Sequence, residues 1–521
     1  MIELPERYNL VDHFVDRHLR EGRGEKTAII SERAALTYAQ VAELVNRVGT
    51  GLRQLGIQEE QRVLLLLPDS VEFAAAYFGT MKIGAVAVPT STALRASDYA
   101  FFLDESRARA LIVHSGLYPQ VEPVLAGRRF LRHVIVCGER PGNHLWWDDW
   151  LANQSPALEA ADTSRDDVAF WLWTSGTTGM PKAAVHLHHD WLYCCEHYAC
   201  GVLGVAVDDV TFSSSKLFHA YGLGNGLMFP FHAGATTVLY AGKPQAKVIL
   251  EKARDARPTL FFSVPTLYAA MLQEAGESPS YDLSSVRLAI SAAEPLPAEI
   301  FRKWKERFGI EILDGIGSTE VLHIYLSARA GKVKPGSTGQ AVPGYRLRIV
   351  DHHGQDAPPG AIGDLLVSGE STAPCYWNHQ QLSSQRMQGE WFHSGDKYSI
   401  DADGYYWYAG RSDDMFRVSG QWVSPIEVES ALVEHHAVLE AAVVPYLENS
   451  GLHTTKAFIV LKHGAAGSPE LIVELQTFVK QRITPYKYPR RIEFLADLPK
   501  SAAGKVLRYK LRESGWQPTC P

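Results

Sequence analysis

The chain has 521 residues, too many for one ordinary core, and length alone predicts roughly three or four folding units. Apolar residues make up 46% and charged residues 21%, which fits a globular protein and excludes a disordered or low-complexity chain. The formal net charge of −7 does not point to nucleic acid or an anionic membrane surface as the main partner.

The first residues, MIELPERYNLVDHF, include early acidic side chains and no apolar core region, so no signal peptide is expected. LTYAQVAELVNRVGTGLRQLG (36–56) spaces its apolar residues as a helix does and ends on Gly56. RVLLLLP (62–68) follows as a buried strand; it is the most apolar short run and is far too short to span a bilayer. SVEFAAAYFGTMKIG (70–84) reads as a helix and AVAVPT (85–90) as a strand. RALIV (109–113) and RHVIVCG (132–138) are further short apolar runs. Strands alternating with helices predict an α/β fold with a largely parallel sheet. The rhythm continues through TLFFSVPTLYAAMLQEAG (259–276) and 285–309.

After about residue 330 the texture changes. YRLRIVDHHGQDAPPGAIGDLLVSG (345–369) shows strand alternation broken by Gly/Pro turns, as in an antiparallel or barrel-like part. A last compact unit begins near GRSDDMFRVSG (410–420). It holds a helix (PIEVESALVEHHAV, 425–438), strands (EAAVVPYL and KAFIVLK), a second helix (PELIVELQTFVKQRI, 469–483) and a basic tail. The six cysteines show no disulfide framework and point to a reducing, cytoplasmic setting.

TSGTTGMPKAAVH (174–186) crowds hydroxyls, glycines and a lysine together before an apolar strand. It is not a Walker loop, because Gly176 and Gly179 are too close and Pro181 precedes Lys182. Glycines let backbone N–H groups approach an anion, hydroxyls donate further bonds and a lysine neutralises charge. Taken alone, such a loop is more often a polar surface turn.

Other motifs decide the matter. DGIGSTE (314–320), WFHSGD (391–396), GRSDDMFRVSGQWVSPIEVE (410–429) and LPKSAAGKVLR (498–508) follow it in order. Together with TSGTTGMPK these resemble the phosphate loop, Thr-Glu motif, Gly-Asp motif, hinge and C-terminal lysine motif of the adenylate-forming superfamily. FHAYGLGNG (218–226), DGIGSTEVLHIYLS (314–327) and STAPCYWNHQQLSSQRMQGEWFHSGDKY (371–398) narrow the resemblance to the benzoate-CoA ligase branch. Most superfamily members carry Tyr where this chain has Ile316; the benzoate-type pattern shares that departure.

The resemblance implies a large N-terminal domain, residues 1–412. It would hold two mixed or parallel sheets flanked by helices, with a distorted β-barrel part at about 330–412. A small mobile α+β domain, 413–521, would turn about a hinge at Asp413. It implies ATP, Mg²⁺ and coenzyme A as reactants, an aryl carboxylic acid as substrate, and a monomer or homodimer. Thr174, Ser175, Gly176, Thr177, Thr178, Gly179 and Lys182 would hold the β- and γ-phosphates. Thr319 would donate to the α-phosphate and Glu320 would contact Mg²⁺, since that hard cation prefers carboxylate oxygen. Asp396 would accept from the ribose hydroxyls, and Arg411 would reach ribose or phosphate. Ala293, Glu294, Asp314, Gly315 and Ile316 would flank the adenine. Lys505 would bridge the attacking carboxylate and the α-phosphate. Val418, Ser419 and Gly420 would line the thiol channel after the C-terminal domain swings. His219 would stand between carboxylate and thiol, and Ala220, Tyr221, Gly222, Gly317, His323 and Ile324 would surround an aryl ring.

HLHHDWLYCCEHYAC (186–200) invites a zinc site, but its spacing matches no standard ligand pattern. These residues are expected to pack behind the phosphate loop, with Asp190 as the N-cap of a helix. Ala183 and Ala293 stand where glycine is common in the family. The function expected is an ATP-dependent aryl-CoA ligase acting on benzoate or an ortho-substituted benzoate such as 2-aminobenzoate. The alternatives are an adenylating enzyme that loads a carrier-protein thiol and a non-catalytic ligand-binding homologue.

Overall fold

A computed structural model describes residues 2, 4–140, 144–174, 181–278, 280–412, 414–418, 421–447, 453–500 and 506–512. The expected site residues Ser175, Gly176, Thr177, Thr178, Gly179, Asp413, Ser419, Gly420 and Lys505 lie outside these.

One seven-stranded sheet runs in the order Leu145–Trp146, His133–Cys137, Ala110–His114, Arg62–Leu66, Val86–Pro89, Val168–Thr174, Lys182–Leu187. Its pairs are parallel except the last, an antiparallel hairpin that carries the lysine of the phosphate-loop motif. Val63, Leu64, Leu65 and Leu66 are all buried, as expected for parallel strands covered on both faces. The helix Tyr38–Gln54 starts at a capping box in which Thr37 and Gln40 each accept from the other's backbone N–H. It crosses the helix Val71–Lys82 so closely that a Cβ on Gly79 would meet the Val45 carbonyl at 2.9 Å.

A second sheet has nine strands, in the order Gln340–Ala341, Ile324–Ser327, Ile312–Gly317, Leu288–Ser291, Leu260–Ser263, Val210–Ser213, Thr236–Val238, Thr27–Ile30, Ala35–Thr37. Its interior is parallel and its two ends are antiparallel. One apolar core joins the two sheets, with Phe14, Tyr77, Phe78, Phe170 and Phe231 packed around the buried Trp191 and its neighbours.

The changed texture beyond residue 330 corresponds to a five-stranded antiparallel sheet of Arg346–Val350, Gly363–Ser368, Met387–Gln388, Trp391–Ile400 and Tyr406–Arg411. The chain then forms the hairpin Phe416–Val418 with Gln421–Val423, followed by a sheet of Val438–Leu447, His453–Leu461 and Arg491–Leu495. Helices Pro425–Val433 and Pro469–Arg482 pack on it, each capped by a serine side chain, Ser424 or Ser468. The helix expected through residue 438 stops at Val433, because Val438 already pairs with Leu461. Among the described residues, the apolar clusters here draw on residues from Phe416 onward. Among the described residues no helix is long and apolar enough to cross a membrane.

Candidate active site

A cavity of about 470 Å³ opens at the carboxyl ends of the parallel strands of the nine-stranded sheet, where open α/β sheets bind ligands. Its lining brings together Thr174, Lys182, Ala293, Glu294, Asp314, Gly315, Ile316, Gly317, Thr319, Glu320, Asp396 and Arg411, which are scattered in sequence. Glu440 and Arg508 close it from the C-terminal unit.

The loop after Leu288–Ser291 is fixed by Glu294, whose carboxylate accepts from the Thr266 hydroxyl at 2.6 Å and the Thr266 N–H at 3.3 Å. Burial raises the carboxyl pKa of Glu294, the Thr266 bonds opposing it. Ala293 adopts φ 74°, a left-handed conformation that disfavours any residue with a Cβ. Asp314 is buried beside this loop, and burial pushes its carboxyl well above the usual carboxylate range.

Glu320 is held from two sides. Its Oε1 accepts from the Tyr376 hydroxyl at 2.7 Å, and its backbone carbonyl accepts from the Ala373 N–H at 2.7 Å. Lys182 Nζ lies 5.4 Å from the centre of the same Tyr376 ring, within cation–π reach. Burial lowers the Lys182 pKa and Glu320 works against that shift. Tyr376 reaches this place because its segment pairs with the strand Lys182–Leu187. Val185 N donates to Cys375 O at 3.1 Å and Trp377 N to Ala183 O at 2.9 Å. Sequence reasoning assigned no role to Tyr376, since an aromatic residue in a strand-like run has no chemical signature of its own. Ala183 is buried beside Val86, Val88 and Trp171 in a regular strand, where its methyl group joins their apolar cluster.

Asp396 and Arg411 are direct partners across antiparallel strands. Arg411 Nη1 donates to Asp396 Oδ1 at 3.1 Å and to the Ser394 carbonyl at 3.0 Å. Gly395 between them has φ 77°, and a Cβ there would sit 2.7 Å from Arg386 Nη1 and 2.9 Å from Arg411 Nη2. On the facing side, Arg508 is partly buried and donates to Glu429 at 2.7 Å. Burial opposes its charge, but Glu429 and Asp414 more than offset that.

The residues expected around an aryl ring form an adjoining cluster; of these only Gly317 also lines the cavity. Tyr221, in the short helix Ala220–Leu223, donates its hydroxyl to Ser263 O at 3.2 Å and Ile290 O at 3.1 Å. Its ring centre lies 5.8 Å from that of His323, which meets Phe229 edge-on at 4.6 Å. Burial pulls the His323 pKa down to about 3, so the ring is neutral. Gly317 approaches the His323 carbonyl so closely that a Cβ would lie 2.4 Å from it, and one on Gly222 would lie 2.2 Å from Lys216 O. Ile324 pairs with Gly317 across the antiparallel strands Ile312–Gly317 and Ile324–Ser327. His219 precedes the helix and packs on Phe218, outside the cavity lining. Val418 is buried in the C-terminal core and does not line it either.

The His/Cys run at 186–200 packs as expected in part: Cys194 and Cys195 are buried in the main core. Asp190 is the first residue of its helix rather than the N-cap, which is His189. The Asp190 carboxylate instead accepts from the Leu187 N–H at 3.1 Å and faces His186 at 2.7 Å.

Comparison with known proteins agrees with this geometry. The chain is 47% identical to the benzoate–CoA ligase of Thauera aromatica over 515 residues, covering 98% of this chain and 97% of that one. It superposes with a TM-score of 0.94 and 43% identity on the anthranilate CoA ligase AuaEII solved in complex with anthranoyl-AMP, covering 98% and 97% of the two chains. A benzoate CoA ligase from Burkholderia xenovorans LB400 gives a TM-score of 0.91 and 44% identity, over 97% and 100%. Residues 15–377 match the AMP-binding enzyme family and residues 427–505 its C-terminal domain, and the chain belongs to that family.

Proposed function

We propose that this protein is an ATP-dependent aryl-CoA ligase. An aryl carboxylate attacks the α-phosphate of ATP, giving an aryl-adenylate and pyrophosphate; the thiol of coenzyme A then displaces AMP. The observation that carries the reading is the convergence of Lys182, the Glu320 and Tyr376 pair, and the Asp396 and Arg411 pair on one cavity beside a neutral aromatic cluster. Both half-reactions depend on charge stabilisation and positioning, which such a cavity supplies.

In this reading Thr174, Lys182 and the intervening loop hold the β- and γ-phosphates, and Thr319 donates to the α-phosphate. Glu320 and Thr319 offer the carboxylate and hydroxyl oxygens that suit Mg²⁺, which neutralises phosphate charge when bound. Asp396 accepts from the ribose with Arg411 fixing its carboxylate, and the loop at Ala293 and Glu294 with Asp314, Gly315 and Ile316 flanks adenine. Lys505 bridges carboxylate and α-phosphate. The domain boundary falls at Asp413, about which the C-terminal domain turns to bring Val418, Ser419 and Gly420 to the thiol.

The relatives named for benzoate and anthranilate support an unsubstituted or ortho-amino benzoate. The flat ring neighbours Tyr221 and His323, with Ala220 and Gly317 leaving space, suit such a ring. Incubation with benzoate or 2-aminobenzoate, ATP and either free coenzyme A or a holo-carrier protein tests the reading. Efficient formation of aryl-CoA with AMP and pyrophosphate is expected; transfer to the carrier alone would overturn it.

A further inference from the structure

We propose that His186 and Asp190 are positioning residues that set the turn carrying Thr319 and Glu320, an inference that rests on the ligase reading above. His186 lies four residues beyond Lys182 on the same strand, and a strand puts alternate residues on one face, so both look toward the same side. The imidazole joins two acceptors. Nδ1 lies 2.7 Å from Asp190 Oδ2 and Nε2 lies 2.8 Å from the Thr319 carbonyl oxygen. A carbonyl only accepts, so Nε2 donates to Thr319 and the Asp190 carboxylate anchors the opposite end of the ring.

Both side chains are completely buried. A buried pair of this kind is weak evidence for stability, since apolar residues of similar volume often replace one without loss. Its geometry does something an apolar pair cannot: it ties the strand of the phosphate-loop lysine to the backbone of the Thr-Glu turn. Phe170 stacks on the imidazole, with ring centres 5.1 Å apart and planes meeting at 15°. Asp190 is itself fixed by the Leu187 N–H at 3.1 Å, and its other carboxylate oxygen lies 3.2 Å from His189 Nε2, which is hydrogen-bonded to the Glu370 carbonyl. The turn needs such support, because Leu322 just beyond it holds φ 73°, a conformation that persists only when its surroundings enforce it. Its N–H also reaches the Thr319 carbonyl, at 3.3 Å. Outer partners of this type orient the groups that meet a metal, as a hydrogen-bonded carboxylate orients a ligating histidine.

The test compares His186→Phe, which keeps a ring but no donor, with His186→Gln, which keeps a donor. The primary readout is binding of Mn²⁺ with α,β-methylene-ATP, followed by electron paramagnetic resonance. His186→Phe should weaken it about 10- to 100-fold, and His186→Gln should recover most of the loss. Thioester formation from a supplied aryl-adenylate and coenzyme A should stay near wild type in both. Asp190→Asn, which preserves shape, should weaken metal-nucleotide binding in the same direction and carries the test if His186→Phe does not fold. Wild-type metal-nucleotide binding in the variants, or equal losses in both half-reactions, overturns the proposal. Glu320→Gln separates the two levels: if it leaves metal-nucleotide binding unchanged, the role given to Glu320 falls and the proposal with it. If it weakens binding while the His186 and Asp190 variants do not, only the proposal falls.

Discussion

The Tyr376 hydroxyl donates to Glu320 Oε1 at 2.7 Å while Lys182 sits over the face of the same ring, so one aromatic side chain ties the expected metal contact to the expected phosphate cation. Removing the hydroxyl while keeping the ring isolates the first link. Tyr376→Phe should raise the KM for Mg²⁺-ATP in aryl-adenylate formation by about tenfold, as expected for losing a bond to a charged group. The KM for coenzyme A should not move. An unchanged KM for Mg²⁺-ATP would show that Glu320 is positioned without Tyr376.

Lys505→Ala should suppress adenylation about 100-fold or more, the scale on which removing one charge-stabilising group acts. Thioester formation from a supplied aryl-adenylate should be nearly unaffected. Equal losses in the two half-reactions would contradict the role proposed for Lys505. Asp413→Pro should show the opposite pattern, since a locked φ resists rotation.

Ala293 occupies a left-handed conformation at φ 74° in the lining of the cavity. Glycine adopts that φ without steric cost but loses more entropy on folding. Relief of strain should win, and Ala293→Gly should stabilise the chain by about 0.5–1 kcal/mol, read from the denaturant midpoint. Destabilisation would mean that the Ala293 methyl makes packing contacts worth more than the strain.

Burial lowers the pKa of His13, His188 and His323 from the ordinary 6.5 to about 3. Between pH 6.5 and 3 the unfolded chain therefore binds more protons than the folded one at these positions, so stability falls as pH drops through that window. His188 is fixed neutral at one end, its Nδ1 accepting from the Leu10 N–H at 3.2 Å. Denaturant midpoints measured from pH 7.5 to pH 5 should decline, and His188→Gln should make the decline shallower. A slope equal to wild type in that variant would remove His188 from the account.

Much of this was legible in the residues. RVLLLLP, AVAVPT and RHVIVCG became buried parallel strands because an apolar run of that length has few other fates. The phosphate-loop lysine, Thr-Glu pair, Asp396 and Arg411 could be named because charged groups in fixed motifs carry chemical signatures, and the fold brings the described ones to one cavity. Tyr376, His186 and Asp190 could not. Their roles come from pairing between 183–185 and 375–377, and from a bond to a backbone carbonyl 133 positions away, neither of which leaves a local pattern. EHHAV continues an amphipathic period and predicts helix to residue 438, but the helix ends at Val433 because Val438 takes a strand partner far along the chain, Leu461.

The central claim is that the cavity activates aryl carboxylates with ATP. Pyrophosphate release measured across a panel of benzoate, 2-aminobenzoate, hydroxybenzoates and short alkyl acids tests it most directly. The account predicts release that depends on the acid and is fastest with benzoate or 2-aminobenzoate. No carboxylate-dependent release with any aryl acid, or a preference for alkyl acids, would contradict it.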